Sequence, residues 1–225
     1  MKSNSKIVLI TGANSGIGNA LTKKLIAENY IVIGTSRNGK IENINSKNLF
    51  VVPLDLTNQE SITNANTLIR NSFKGIDILI NNAGIAPDLD TTKPDIESLR
   101  LTFETNVFGL VHFTETILDL VVDTGKILNI SSIMGTLNRV SKVDSTAYRM
   151  SKSALNMYTK TLSARVNNKN ITVNSIHPGW VKTKLSTANA PLTTEFSANG
   201  IFKLLETNMG TGTFWNAELQ EEMVW

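Results

Sequence analysis

Six short apolar runs rich in β-branched residues alternate along this chain with longer stretches of helical periodicity. The runs span residues 7–11, 31–35, 49–54, 76–80, 126–130 and 171–176, and a weaker one spans 213–215. The helical stretches span about 17–28, 59–73, 95–120 and 146–166. Uninterrupted apolar runs are typical of parallel strands covered on both faces. The sequence therefore predicts an α/β fold, a doubly wound parallel sheet of the Rossmann type with about seven strands.

The chain shows no sign of division into separate units. Its 225 residues, 41% of them hydrophobic, suffice for one core, and no linker, repeat or break in composition interrupts them. We therefore expect a single domain over 1–225 that both binds a dinucleotide and carries out catalysis. The polar segment 183–197 contains one proline and indicates a loop long enough to cover a substrate.

Composition excludes several classes of function. The 22 basic residues are scattered and the net charge is only +3, so we expect no nucleic-acid partner. Without cysteine and with two histidines, the chain is not expected to hold a metal. No run approaches the ~18 apolar residues of a membrane span, and the polar start lacks the features of a signal peptide. We expect a cytoplasmic protein with no membrane partner.

Three glycines lie in the turn between the first strand and the first helix, at Gly12, Gly16 and Gly18. Such a turn lets the backbone approach a diphosphate, and the helix behind it offers unpaired N–H groups. The spacing differs from the commoner Gly-x-Gly-x-x-Gly and lacks the lysine of an NTPase loop. An ordinary glycine-rich turn is the alternative, but the position between first strand and first helix favours a dinucleotide.

The residues after the second strand bear on which dinucleotide is bound. A free ribose 2′-hydroxyl is usually held by an Asp or Glu at this point, and none is present. Arg37 follows the strand instead, and its planar guanidinium suits the oxygens of a 2′-phosphate. The sequence therefore favours NADP(H) over NAD(H), unless Arg37 is only a solvated loop residue.

Tyr148 and Lys152 are four residues apart in the last long helical stretch, so they share one helix face. A nearby ammonium favours the ionised phenol, and we expect it to lower the pKa of Tyr148 from its ordinary value near ~10. A phenol titrating closer to neutrality could exchange a proton with a substrate oxygen. Most Tyr–Lys pairs are surface features, so the pair gains weight only from the motifs around it.

Taken in order, the motifs resemble those of the short-chain dehydrogenase/reductase family over nearly the whole chain. They comprise the glycine turn, Asp55, Asn81-Asn82-Ala83-Gly84, Asn106, Ser131-Ser132, Tyr148-x-x-x-Lys152 and Pro178-Gly179. The stretches 129–135 and 177–183 are most similar to the sniffer and C-factor-like carbonyl reductases.

The resemblance implies four catalytic residues, Asn106, Ser132, Tyr148 and Lys152. Tyr148 would exchange the proton, Lys152 would assist it and bind the nicotinamide ribose, and Ser132 would stabilise the substrate oxygen. Asn106 would hold a water that links Lys152 to solvent. The family's serine lies three residues before a glycine, and Gly135 selects Ser132 over Ser131. The loop 136–145 is three residues longer than in many relatives, which leaves its shape open.

The resemblance also implies the residues that contact the cofactor. They are Gly12, Asn14, Ser15, Gly16, Ile17, Gly18, Arg37, Asp55, Leu56, Asn82, Ala83, Gly84, Tyr148, Lys152, Pro178, Gly179, Val181 and Thr183. Asn81 and His177 are expected to serve the fold. Asp55 could equally cap the next helix, and Ser132 could bond only its own backbone.

Three functions fit this pattern. The first is an NADPH-dependent reductase of small aldehydes, ketones or quinone-like carbonyls. The second is a reductase dedicated to one metabolite, such as a 3-oxoacyl thioester or a hydroxysteroid. The third is a dinucleotide-binding signalling protein with little turnover. Family members commonly associate through the helices that correspond to 105–120 and 146–166, so we expect a homodimer or homotetramer.

Overall fold

The computed structural model describes residues 5–138, 142–186 and 189–225. Its centre is one eight-stranded sheet in the order β3-β2-β1-β4-β5-β6-β7-β8. The strands are β1 (Ile7–Ile10), β2 (Ile31–Ser36), β3 (Leu49–Pro53), β4 (Ile76–Asn81), β5 (Val121–Ile130), β6 (Thr172–His177), β7 (Phe214–Asn216) and β8 (Glu221–Met223). Every pairing is parallel except that of β8 with β7. The predicted doubly wound α/β sheet is confirmed.

Helices connect the strands and cover both faces of the sheet. They are α1 (Gly16–Ala27), α2 (Gln59–Ser72), α3 (Ile96–Phe103), α4 (Leu110–Ile117), α5 (Thr146–Arg165) and α6 (Thr194–Glu206). Within the described residues, no helix is both long and apolar enough to cross a bilayer.

The alternation of side chains along β1 shows how the sheet is buried. Val8 and Ile10 point into one core with Leu21 and Leu25 of α1. Leu9 points into the opposite core, with Phe113 of α4 among its neighbours. All six side chains are fully buried. Because both faces are covered, the strands need apolar residues at every position, which is the pattern seen in the sequence.

The helical stretch predicted over 95–120 is not one regular helix. A π-helical turn, Glu104–Gly109, separates α3 from α4, and a 3₁₀ turn, Leu118–Leu120, ends the run. Turns of π-helix are rare and often occur at functional sites. Packing requires glycine at position 109, because a Cβ there would lie 2.0 Å from the Leu56 carbonyl oxygen.

Three other features of the fold differ from the sequence prediction. An eighth strand, β8, folds back on β7 as an antiparallel edge, and β5 begins at Val121 instead of residue 126. Helix α6 starts at Thr194, so the last four residues of the expected loop 183–197 belong to it. Strands as short as β8 carry too few residues to show periodicity in sequence.

The topology places a binding site at one edge of the sheet. The order of strands reverses at β1 and β4, which are neighbours although β2 and β3 lie between them in sequence. Open α/β sheets bind ligands beyond the carboxyl ends of their strands at such a reversal. The loops after β1, β4, β5 and β6, which carry the sequence motifs, therefore meet at this edge.

Candidate active site

Hydrogen bonds join the end of β1 to the end of β4. The Thr11 hydroxyl oxygen accepts from the backbone N–H groups of Asn82 and Ala83, each at 3.0 Å. In return the Asn82 amide donates to the carbonyl oxygens of Thr11, at 2.9 Å, and Gly12, at 3.2 Å. These bonds hold the glycine turn against the loop that follows β4.

The glycine turn has the conformation that glycine alone adopts without strain. Gly12 and Gly16 have φ of 69° and 55°. Helix α1 begins at Gly16, and its N-cap residue Ser15 makes no side-chain capping bond to the described residues. First-turn N–H groups without a capping side chain and no acidic residue in that turn suit an anion such as a diphosphate.

Gly18 has a different role from the other two glycines. It is buried on α1, where a Cβ would lie 2.2 Å from the Gly12 carbonyl oxygen and 2.5 Å from the Asn82 amide nitrogen. Of the glycines in this turn, Gly18 is absent from the walls of the cleft described below. It therefore lets the helix pack beneath the turn.

A cleft of about 1430 Å³ runs along the carboxyl edge of the sheet. Its walls include all the predicted cofactor-contacting residues except Gly18, namely Gly12, Asn14, Ser15, Gly16, Ile17, Arg37, Asp55, Leu56, Asn82, Ala83, Gly84, Tyr148, Lys152, Pro178, Gly179, Val181 and Thr183. Ser132 also lines it, whereas Asn106 does not. One continuous cleft thus reaches from the glycine turn to Tyr148.

Arg37 and Asp55 lie at the end of the cleft formed by β2 and β3. Arg37 is exposed directly after β2. The Asp55 carboxylate accepts from the backbone N–H of Thr57, at 2.9 Å, and from its hydroxyl, at 2.8 Å. Helix α2 is capped by Asn58, whose side chain accepts from the N–H of Ser61, so the alternative role of Asp55 as the cap is wrong.

Tyr148 and Lys152 lie one turn apart on α5, as the spacing predicts. The Lys152 Nζ atom is 5.5 Å from the centre of the Tyr148 ring and donates to the Ile130 carbonyl oxygen at 2.8 Å. Burial raises the pKa of Tyr148 to about 12, against the opposing effect of a hydrogen bond from Ser132. Burial lowers the pKa of Lys152 to about 8. The expected lowering of the tyrosine pKa is therefore wrong for the protein alone, because desolvation outweighs the hydrogen bond from Ser132 that opposes it.

The two adjacent serines after β5 point to different partners. The Ser131 hydroxyl lies 2.6 Å from the Asn156 side-chain oxygen on α5 and is buried. The Ser132 hydroxyl lines the cleft near the Tyr148 phenol and also accepts from the N–H of Met134 at 3.1 Å. Both serines border the cleft, but the Ser131 hydroxyl is bonded to α5, while Ser132 combines a bond within its own turn with a position beside Tyr148.

Asn106 lies in the π-helical turn and is fully buried. Its amide oxygen accepts from the Ile85 N–H, and its nitrogen donates to the Ile85 carbonyl, both at 2.8 Å. The nitrogen also donates to the Ser151 hydroxyl on α5 at 3.1 Å. These contacts give the Asn106 side chain a bracing role between α5 and the loop after β4, and the predicted water link remains a prediction.

The Asn81 side chain bonds two other side chains. Its amide nitrogen donates to the Thr114 hydroxyl and to the Asn129 side-chain oxygen, both at 2.9 Å. Both partners are buried, as is Asn81 itself. Asn81 therefore joins the ends of β4 and β5 to α4, in keeping with a role in the fold.

The loop after β6 forms another part of the cleft wall. The Ser197 hydroxyl of α6 donates to the Pro178 carbonyl at 2.7 Å, and Gly179 has φ of 89°. The imidazole of His177 accepts from the Ile133 N–H at 3.4 Å through Nδ1. Burial lowers the pKa of His177 to about 4, which keeps that nitrogen free to accept at neutral pH.

Two loops predicted to border the site are described in part. Residues 139–141 of the loop 136–145 and residues 187–188 of the segment 183–197 lie outside the described residues. At the base of the second segment, Lys182 donates its N–H to Leu192, and the Leu192 N–H donates to Trp180, at 2.8 and 3.2 Å. This short parallel bridge closes the segment where it leaves the site.

Several apolar residues that line the cleft were not among the predicted site residues. Leu89, Leu101, Met134, Trp180 and Leu185 supply apolar surface to the cleft. They come from four different segments, and only the fold brings them together. Single apolar residues spread over four segments share no periodicity that could have revealed this.

Comparison with known proteins agrees with this geometry. Residues 6–192 match the family model for short chain dehydrogenase. The chain is 34% identical over 190 residues to the 3-oxoacyl-(acyl-carrier-protein) reductase FabG of Buchnera aphidicola, a match that covers 83% of this chain and 78% of that one. It spans 45% to 49% of the length of several other curated relatives that it matches.

Two solved structures are similar over nearly their whole length. The carbonyl reductase Sniffer of D. melanogaster has a TM-score of 0.88 at 29% identity, covering 99% of this chain and 100% of that one. The NADPH-bound carbonyl reductase from chicken fatty liver also has a TM-score of 0.88 at 29% identity, covering 98% and 94%. With its glycine turn, its Tyr148–Lys152 helix and the family match over residues 6–192, the chain belongs to the short-chain dehydrogenases.

Proposed function

We propose that this protein is an NADP(H)-dependent oxidoreductase that reduces a carbonyl group of an aldehyde, ketone or quinone-like compound to an alcohol. One observation carries the proposal: a single cleft joins Arg37 and the glycine turn to the hydroxyl groups of Ser132 and Tyr148. NADPH, when bound, supplies the hydride. The residues of this chain then have to orient the carbonyl and provide a proton.

Tyr148 is the proton donor in this proposal. Since its pKa is raised to about 12, the phenol keeps its proton at neutral pH. That is the form required to protonate a carbonyl oxygen as it gains negative charge. Reduction requires this protonated form of the phenol, whereas alcohol oxidation requires the phenolate.

Ser132 and Lys152 support this transfer in different ways. The Ser132 hydroxyl lies on the phenol's side of the cleft and can donate to the same substrate oxygen, a contribution of ~3 kcal/mol in comparable sites. Lys152 is 4% exposed and gives one hydrogen bond to Ile130, which leaves further N–H donors for the nicotinamide ribose. Removal of either side chain is expected to slow turnover.

The cofactor assignment depends on the opposite end of the cleft. Arg37 is an exposed cation beside the adenine end, and no carboxylate follows β2 to hold a ribose 2′-hydroxyl. The relative bound to NADPH has a TM-score of 0.88 to this chain. Both observations support NADP(H).

Apolar side chains form part of the cleft wall. Trp180 is 52% exposed and lines the cleft together with Leu101 and Met134. An apolar wall beside a proton donor favours a substrate whose carbonyl is attached to an apolar or aromatic body. The 34% identity to FabG supports the alternative, a reductase dedicated to a 3-oxoacyl thioester.

A panel of substrates distinguishes these functions. NADPH oxidation should be measured with dicarbonyls, quinones, aromatic aldehydes and 3-oxoacyl thioesters, and then repeated with NADH. Turnover of several small carbonyls supports the general reductase, whereas turnover of the thioester alone supports the dedicated enzyme. Absence of turnover with every carbonyl contradicts the proposal. A signalling function that survives Tyr148→Phe would favour the third candidate.

Self-association stays a prediction. Phe108, at 58% exposed, and Met157, at 64%, give apolar surface to the two helical segments through which family members were expected to pair. Light scattering at several protein concentrations measures the state. A mass equal to that of one chain at all concentrations contradicts the expected homodimer or homotetramer.

A further inference from the structure

The start of α5, the helix that carries Tyr148, is capped by a residue from another part of the chain. Its N-cap residue, Ser145, has φ of 56° and makes no capping bond with its own side chain. Instead the Asp88 carboxylate accepts from the N–H of Ala147 at 2.6 Å and from the N–H of Tyr148 at 3.3 Å. Asp88 lies 59 residues earlier, in the loop after β4.

The Asp88 carboxylate is buried and depends on α5 for its polar contacts. The residue is 2% exposed, and none of the ion pairs among the described residues includes it. A buried carboxylate is stable only where hydrogen bonds or positive charge replace its lost hydration. The two N–H groups and the positive end of the α5 dipole provide both.

Further bonds tie the same two segments together. The Ser145 hydroxyl accepts from the Asp90 N–H at 3.1 Å, and the Ser145 N–H donates to the Thr91 carbonyl at 2.9 Å. The Asn106 side chain bonds both backbone groups of Ile85, three residues before Asp88. It also donates to the Ser151 hydroxyl on α5. The loop after β4 is therefore fixed to α5 on both sides of Tyr148.

A remote cap has an effect that a local cap lacks. A serine or aspartate at the N-cap position stabilises its helix but does not fix the helix relative to the rest of the protein. The Asp88 bonds fix the Tyr148 backbone relative to Gly84, which lines the same cleft three residues after β4. Because misplacement by about 1 Å can slow catalysis about 100-fold, such a tie affects rate as well as stability.

We propose that Asp88 is a positioning residue, which holds the first turn of α5 so that the Tyr148 phenol meets the substrate carbonyl. The inference rests on the proposed function of Tyr148 as proton donor. Asp88 touches neither substrate nor cofactor in this role and acts only through the Ala147 and Tyr148 amides.

Asp95 provides a matched control. It caps α3, and its carboxylate accepts from the Ser98 N–H at 2.9 Å, but it is exposed and does not line the cleft. Asp88→Ala and Asp95→Ala therefore each remove one helix cap. We expect Asp88→Ala to lower kcat by about 10- to 100-fold, with the Kd for NADPH within twofold of wild type. Asp95→Ala should leave both values within twofold.

Partial rescue and amide exchange complete the test. Asp88→Asn keeps one acceptor oxygen, so its kcat should lie between those of wild type and Asp88→Ala, and it replaces Asp88→Ala if that variant does not fold. Hydrogen–deuterium exchange of residues 145–151 should accelerate in the Asp88 variants and not in Asp95→Ala.

The outcomes separate the two proposals. Wild-type protein that turns over no carbonyl contradicts the proposed function, and amide exchange then decides the role of Asp88. Unchanged exchange over 145–151 overturns the inference whatever the turnover. A kcat for the Asp88 variants equal to that of Asp95→Ala also overturns it, as does a loss of NADPH binding that matches the loss of kcat.

Discussion

The Lys152 ammonium lies over the Tyr148 ring, 5.5 Å from its centre, while its hydrogen bond goes to the Ile130 carbonyl. Burial moves both groups toward their neutral forms, the pKa of Tyr148 up to about 12 and that of Lys152 down to about 8. The protein alone therefore holds an intact phenol beside an amine that gives up its proton readily.

The three tyrosines should resist ionisation in the free protein. Burial raises the pKa of Tyr30 and of Tyr148 to about 12, and burial with a hydrogen bond to Glu115 raises that of Tyr158 further. An ultraviolet titration is expected to show little tyrosinate at pH ~10, where a free tyrosine is half ionised. A phenolate that appears below pH ~9 and disappears in Tyr148→Phe would contradict this expectation.

Replacement of Lys152 should change how stability depends on pH. Its folded pKa, about 8, lies below its unfolded value of 10.5, so the unfolded chain binds more protons between these values. The free energy of unfolding is therefore lowered below pH ~8, and this lowering disappears as the pH rises toward 10.5. From pH 7 to 10, wild type should gain roughly 2 kcal/mol of unfolding free energy relative to Lys152→Met. Urea titrations at both pH values measure this, and a constant difference would show that Lys152 titrates normally.

Arg37→Asp should reverse the preference for the cofactor. The change removes a partner for the 2′-phosphate and supplies one for a ribose 2′-hydroxyl. Because hydrogen bonds to charged groups contribute about 1.5–3 kcal/mol, the KM for NADPH should rise about 10- to 100-fold. The KM for NADH should stay constant or fall. Lys40→Ala removes an exposed cation from the same loop and serves as control. An equal rise in both KM values would contradict the assignment of Arg37 as the partner of the 2′-phosphate.

Gly18→Ala should disturb the packing of α1 against the glycine turn. A Cβ at this position would lie 2.2 Å from the Gly12 carbonyl oxygen, so α1 or the turn has to move. We expect a loss of at least about 1–3 kcal/mol in stability and weaker NADPH binding. Gly210→Ala is the comparison, since its φ is 68° but, apart from its chain neighbours, no described residue comes within 4 Å of the added carbon. It should cost about 1 kcal/mol and leave NADPH binding intact. Equal effects of the two variants would contradict a steric role for Gly18.

The sequence predicted the sheet because its parallel strands are buried on both faces and so have a distinct composition. It also predicted Tyr148 and Lys152 on one helix face, since the spacing alone determines that relation. It did not predict Asp88, because a cap from another segment leaves no pattern near the helix. The direction of the Tyr148 pKa was also missed, since the extent of burial depends on the folded surroundings.

The antiparallel strand β8 affects how the sheet behaves toward other molecules. It covers β7, and its residues Glu221 and Glu222 place two exposed carboxylates along the outer border. Unpaired strand borders attract further strands, and like charges there repel them. At the opposite border, β3 ends in Pro53, which cannot donate a backbone hydrogen bond. Both borders thus discourage the sheet from growing by strand addition into fibrous aggregates.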